Sequence, residues 1–84
     1  MRQTARESST LAEISLQTWV IVGSPDLAAS HTRRLAELGL RVGGRVRVLF
    51  DAVGGGKVIA VEHGRVALDR ATCLRIPVTL ERPT

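Results

Sequence analysis

At 84 residues the chain has room for one small domain, and a domain of that size leaves no space for a deep catalytic cavity. Hydrophobic residues make up 44% of it and aromatics 2%, so a core can form, but from Val, Leu, Ile and Ala, with Trp19 and Phe50 as the two aromatics. The formal charge is +4, all but one of the basic residues being arginine; the lone Cys73 excludes an internal disulfide, and no run nears the ~20 apolar residues that span a bilayer.

Residues 1–10 are polar and without period, so a disordered N-terminal tail is expected, with no apolar run behind it to make a secretory signal. A cytoplasmic protein fits that absence and the single thiol. The folded domain is expected over residues 11–80, with 81–84 as a second tail. Leu11 and Ile14 are placed in a short turn that tucks onto the core. Residues 18–24 form a β-branched run closed by Gly23 and Ser24, the pattern of a buried strand, with Trp19 in the core.

Ser24-Pro25-Asp26 then offers a helix start, with Ser30 as a later alternative. Leu27, Ala28, His31, Leu35 and Leu38 share one helical stripe, with Arg33 and Glu37 opposite and Arg34 at its flank. Gly39 ends the helix as a left-handed cap, and Leu40 folds back onto Leu35. Past that corner, residues 45–50 alternate strictly. Arg45, Arg47 and Leu49 face one way, and Val46, Val48 and Phe50 face the core. Residues 51–56 form a flexible connection, and 57–63 and 65–68 form two strands joined at a His63-Gly64 turn with positive φ. Asp69 caps one helical turn over 70–74. Residues 75–80 form the last strand, with Ile76, Val78 and Leu80 inward and Pro77 marking a sheet edge. Five short strands, one helix after the first and a helical turn before the last favour a small curled barrel.

The run from Arg33 to Phe50, followed by a glycine-rich loop and residues 57–78, resembles the FeoA family, small cytoplasmic proteins or domains of bacterial ferrous-iron uptake. Its most specific stretch is Leu35, Glu37, Leu38, Gly39, Leu40 and Gly43; its closing pattern is Gly64, Ala67, Leu68 and the turn from Asp69 to Leu74. The resemblance covers residues 11–80 and extends to the C-terminal SH3-like domain of iron-dependent repressors. It implies a mainly β, SH3-like barrel with an inserted helix. It also implies a partner, the FeoB transporter with its cytosolic GTP-binding domain, and Fe²⁺ as the context. The chain departs from the family in two places. Val42 stands where a proline is common, and Leu16-Gln17 where a Pro-Gly turn is common.

Chemistry is thinly represented. His31, His63 and Cys73 are the candidate metal ligands, at spacings that match no ligand frame; His31 is expected half-buried on the helix stripe, His63 solvated in its turn and Cys73 packed as a small hydrophobe, so no metal site or cofactor is assigned. Residues 51–58 fail the phosphate-loop pattern twice, at Asp51 and Val58. No Ser or Cys is spaced with a His and an acid as a nucleophile requires, so an enzyme is not expected. Nucleic-acid binding competes on the strength of the clustered arginines, but Trp19 and Phe50, both placed in the core, would leave no aromatic for base stacking, and no nucleic acid is expected. A metal-sensing module is the third alternative. The expected function is a non-enzymatic module that docks on a FeoB-type partner. Its contact surface is the rim of the helix stop: Arg33, Arg34, Leu40, Arg41, Val42, Arg45 and Arg47.

Overall fold

The computed structural model describes residues 8–81. Six antiparallel strands form one sheet: β1 (Ser8–Thr10), β2 (Trp19–Val22), β3 (Arg45–Asp51), β4 (Lys57–Val61), β5 (Gly64–Leu68) and β6 (Pro77–Leu80), in the order β1-β6-β2-β3-β4-β5. Helix α1 (Ala29–Glu37) connects β2 to β3, and the four-residue α2 (Arg70–Cys73) connects β5 to β6. The sheet wraps one aliphatic core. Val20 and Val22 of β2, Val46 and Val48 of β3, Ile59 of β4, Leu68 of β5 and Val78 of β6 point into it, joined by Leu11, Leu35, Leu40, Cys73 and Ile76. Along β2 and β3 the core residues are alternate ones, as the two-residue repeat of a pleated strand requires.

Several expectations are corrected. The ordered part begins earlier than the expected residue 11: Ser8–Thr10 is a strand on β6, and residues 1–7 of the expected tail lie outside the described residues. That extra strand also removes Pro77 from the sheet edge, because β6 lies between β1 and β2. The missing amide is tolerated because Pro77 is the first residue of its strand, where β2 has just ended; its carbonyl accepts from the Gly23 amide at 2.7 Å. The helix starts at Ala29, not at the Ser24-Pro25-Asp26 signal, and no side chain caps it. Leu27 and Ala28 therefore precede the helix, and the side facing the core is Thr32, Leu35 and Ala36; His31 and Leu38 are exposed.

The expected helix stop is present. The Leu40 amide donates to the Leu35 carbonyl at 2.9 Å and the Gly39 amide to Ala36 at 3.0 Å, the paired bonds of a Schellman cap. Gly39 has φ +109°, and a Cβ there would sit 2.9 Å from Val61 Cγ2. The corner is then tied to β2: Gly43 donates to the Val22 carbonyl at 2.7 Å, and Val22 donates to Gly44 at 2.9 Å.

Phe50 does not face the core. The register between β3 and β4 shifts between Val48 and Phe50, leaving Leu49 unpaired. This β-bulge reverses the alternation after it. Phe50 is turned outward opposite Val58, and Asp51 pairs with Lys57, whose Nζ lies 2.7 Å from Asp51 Oδ1. Residues 53–55 form a 3₁₀ turn rather than an unstructured link. The β4–β5 turn is Glu62-His63, and neither His63 nor Gly64 has a positive φ. Leu80 is exposed at the end of β6 rather than inward.

Candidate docking surface

The outer face of the sheet is built by the same alternation that builds the core. Val20 and Val22 point inward, so Trp19 and Ile21 point outward; Trp19 pairs with Arg47, and Ile21 with Arg45. Trp19 is half-buried on that face and not in the core. Both guanidiniums lie over its indole, Arg45 at 3.8 Å from the ring centroid and Arg47 at 4.8 Å. An arginine over an indole face gains about 0.5–2 kcal/mol and loses mobility. The row continues across Ala60 of β4 to Arg65 of β5.

The expected rim is thereby divided. Arg33 and Arg34 are exposed on α1, and among the described residues their side chains make no hydrogen bond or ion pair. Arg41 is exposed at the corner, where its Nε donates to the Ala36 carbonyl at 3.3 Å and its guanidinium stands 3.8 Å from Glu62. Val42 is exposed beside it, and a shallow cleft of about 320 Å³ lies between Gly39, Arg41, Gly44, Arg45 and Glu62. Arg45 is held by both Glu81 oxygens at 2.8 Å, which neutralises it. Among the described residues Arg47 has no acid partner, and its Nε is shielded from solvent without an acceptor. Leu40 is not part of the rim: at 2% exposure it belongs to the core, because the cap folds it onto Leu35.

The three candidate metal ligands lie on separate elements, His31 on α1, His63 in the β4–β5 turn and Cys73 on α2. Among the described residues no three His, Cys, Asp or Glu side chains converge. Cys73 is fully buried, and burial pushes its thiol up from the usual value. Asp69 is held below the usual carboxylate range chiefly by Thr72, whose amide donates to Asp69 Oδ1 at 2.8 Å. Sequence reasoning missed Trp19 as an arginine platform, Arg65 at the end of its row and the inward Lys57 with Asp51. The first was accessible from parity alone, since Val20 and Val22 inward force Trp19 outward. The last two depend on strand order and on the bulge.

A FeoA domain model matches residues 10–80. The chain belongs to the FeoA family. The FeoA protein of Stenotrophomonas maltophilia is 35% identical, over 89% of this chain and 98% of that one, with a TM-score of 0.68. That protein was solved with zinc and is described as a prokaryotic SH3-domain protein and a possible ferrous iron transport activating factor. The Chlorobium tepidum FeoA protein, 24% identical over 89% of this chain and 72% of its own, superposes with a TM-score of 0.80. A manganese-dependent transcriptional repressor, 21% identical, superposes at 0.77 over 88% of this chain but 42% of its own, which identifies the same fold as one domain of a longer protein. No curated protein matches. The expected mainly β, SH3-like fold is therefore the observed one. FeoA proteins form an accessory and regulatory family in the context of ferrous iron transport. No helix among the described residues is long and apolar enough to cross a membrane.

Proposed function

We propose that this chain is a non-enzymatic accessory protein of ferrous iron uptake that acts in the cytoplasm by docking on a FeoB-type transporter, at its cytosolic GTP-binding domain. Membership of the FeoA family over residues 10–80 carries the reading. The charge distribution supports it. Arg33, Arg34, Arg47 and Arg65 have no acid partner among the described residues, whereas most of the acids are engaged: Asp26 with Arg75, Asp51 with Lys57, Glu62 with Arg41 and Glu81 with Arg45. Uncompensated arginines fixed on strands and a helix suit an acidic protein surface, where they raise association rates and select partners.

Nucleic acid fits less well, for a reason other than the one the sequence offered. Trp19 and Phe50 do lie on the outer face, but the Trp19 ring is already covered by Arg45 and Arg47, leaving Phe50 alone for base stacking. Fe²⁺ enters this reading as the transporter's cargo, with no site for it assigned here.

Titration of the purified chain against the transporter's GTP-binding domain tests the reading. Saturable binding is expected, weakened roughly tenfold in R33E/R34E at low salt, with the difference shrinking as salt screens the charges. Absence of binding at both low and high salt, or micromolar binding to single-stranded DNA with a steep salt dependence instead, overturns it.

A further inference from the structure

The sheet order ends at β5, which pairs with β4 on one side only. Its hairpin loop is the two residues Glu62-His63, so Val61 and Gly64 flank the turn and exchange the closing hydrogen bonds. Alternation along an antiparallel ladder then gives bonded pairs at Ile59–Val66 and Lys57–Leu68, and non-bonded pairs at Ala60–Arg65 and Val58–Ala67. The N–H and C=O groups of Arg65 and Ala67 therefore point away from β4. Among the described residues no backbone or side-chain partner reaches them.

This free edge borders a groove of about 420 Å³ whose far wall is α1: His31, Arg34 and Leu38 face Val66, Ala67 and Asp69 across it. Leu38 is half-exposed there, and Arg34 and Arg65 have no acid partner among the described residues. Asp69, the one acid in the groove, is engaged by Thr72.

We propose that the β5 edge binds an extended acidic segment of a partner protein by strand addition, an inference that rests on the docking function proposed above. The segment lies one strand spacing, about 4.8 Å, beyond β5 and exchanges up to four main-chain hydrogen bonds with Arg65 and Ala67. Its outward side chain opposite Arg65 extends the row Trp19–Arg47–Ala60–Arg65, so an Asp or Glu there meets the Arg65 guanidinium with Arg47 behind it. Its inward side chains meet Leu38 and Val66, with Arg34 at the groove wall. A second copy of this chain fits worse. Antiparallel pairing of two β5 edges about Val66 would set the two Arg65 side chains diagonally across the new ladder, where like charges oppose pairing.

The test is an NMR titration of the full chain with a synthetic alternating Glu/Val peptide, a proline-interrupted peptide of equal charge and a single-stranded oligonucleotide. In the free protein the Arg65 and Ala67 amides are expected to exchange rapidly and the Val66 amide slowly. The alternating peptide should slow the first two, and R65E should weaken it roughly tenfold. A67P removes the edge donor without touching the β4 ladder and should abolish it. R65E is the control should A67P fail to fold. No protection at Arg65 and Ala67, equal binding of the interrupted peptide or the oligonucleotide, or a concentration-dependent dimer through β5 overturns the proposal. The same variants against the transporter's GTP-binding domain separate the two readings. Domain binding that R65E and A67P leave intact removes the edge and keeps the function, while peptide binding without domain binding does the reverse.

Discussion

Gly39 and Gln17 both hold positive φ, at +109° and +66°, and they should respond to substitution in opposite senses. At Gly39 the conformation closes the Schellman cap, and the space a Cβ would need is taken by Val61 Cγ2. Gly39→Ala therefore adds left-handed strain to a contact between the helix stop and β4, and a loss of about 2 kcal/mol is expected in urea unfolding. Gln17 is one of the two departures from the family pattern noted in the sequence, standing where a glycine is common. Its amide donates to the Val48 carbonyl at 2.7 Å, which fixes the chain as it enters β2 and holds a side chain in a conformation that costs about 1–2 kcal/mol. Gln17→Gly removes that cost but adds freedom to the unfolded chain, so a net gain of about 0.5 kcal/mol in the same measurement is expected. The departure was visible in the sequence; that it stores strain was not, because φ at residue 17 is set by the bond to β3.

The elements were legible where their signals are local and not where another strand decides them. The α1 stop is an example of the first kind, since Gly39, Leu40 and Leu35 carry the whole device within six residues. The α1 start is the second kind. Ser24-Pro25-Asp26 is a good local signal, yet the Gly23 amide is drawn to the Pro77 carbonyl and the Asp26 amide to Arg75, at 2.7 and 2.8 Å, holding the segment along β6 until Ala29. Phe50 fails for a similar reason: nothing in residues 45–50 announces that Leu49 will go unpaired, because the bulge exists only against β4. In α2 local chemistry suffices. Asp69 Oδ1 accepts from the Thr72 amide at 2.8 Å, as its position before a helical turn implies. Its carboxyl is depressed in the folded state, so ionisation favours folding above the unfolded value and that contribution is lost as pH falls through the folded one. Asp69→Ala should lower the melting temperature at neutral pH, and the gap between variant and parent should narrow on acidification below about pH 4, as a pair of thermal scans would record.

Across the whole molecule, the expected count of strands was short by one among the described residues: β1, which extends the sheet beyond β6. Residues 8–10 read as tail because Ser-Ser-Thr has neither apolar alternation nor a turn signal. The strand exists because β6 offers its outer side and because the residues just after it are anchored. Leu11 is fully buried, Ile14 is 6% exposed, and the Leu11 amide donates to the Ile76 carbonyl at 3.0 Å. The sequence does place Leu11 and Ile14 on the core; what it cannot show is that the residues just before this anchor pair with β6 and make it an interior strand. The contact also sets how much of the fold depends on its N-terminal end. A domain this small holds stability near the low end of the 5–15 kcal/mol range, and truncating a fully buried leucine costs about 2–5 kcal/mol. Leu11→Ala is therefore expected to remove about half of the total. Leu38, just past the end of α1 and read from sequence as the same kind of core residue, is 50% exposed and should lose less than about 1 kcal/mol on the same change. Urea midpoints of the two variants decide the point. A large shift for L38A and a small one for L11A would mean that the end of the helix, and not the N-terminal anchor at Leu11, carries the core.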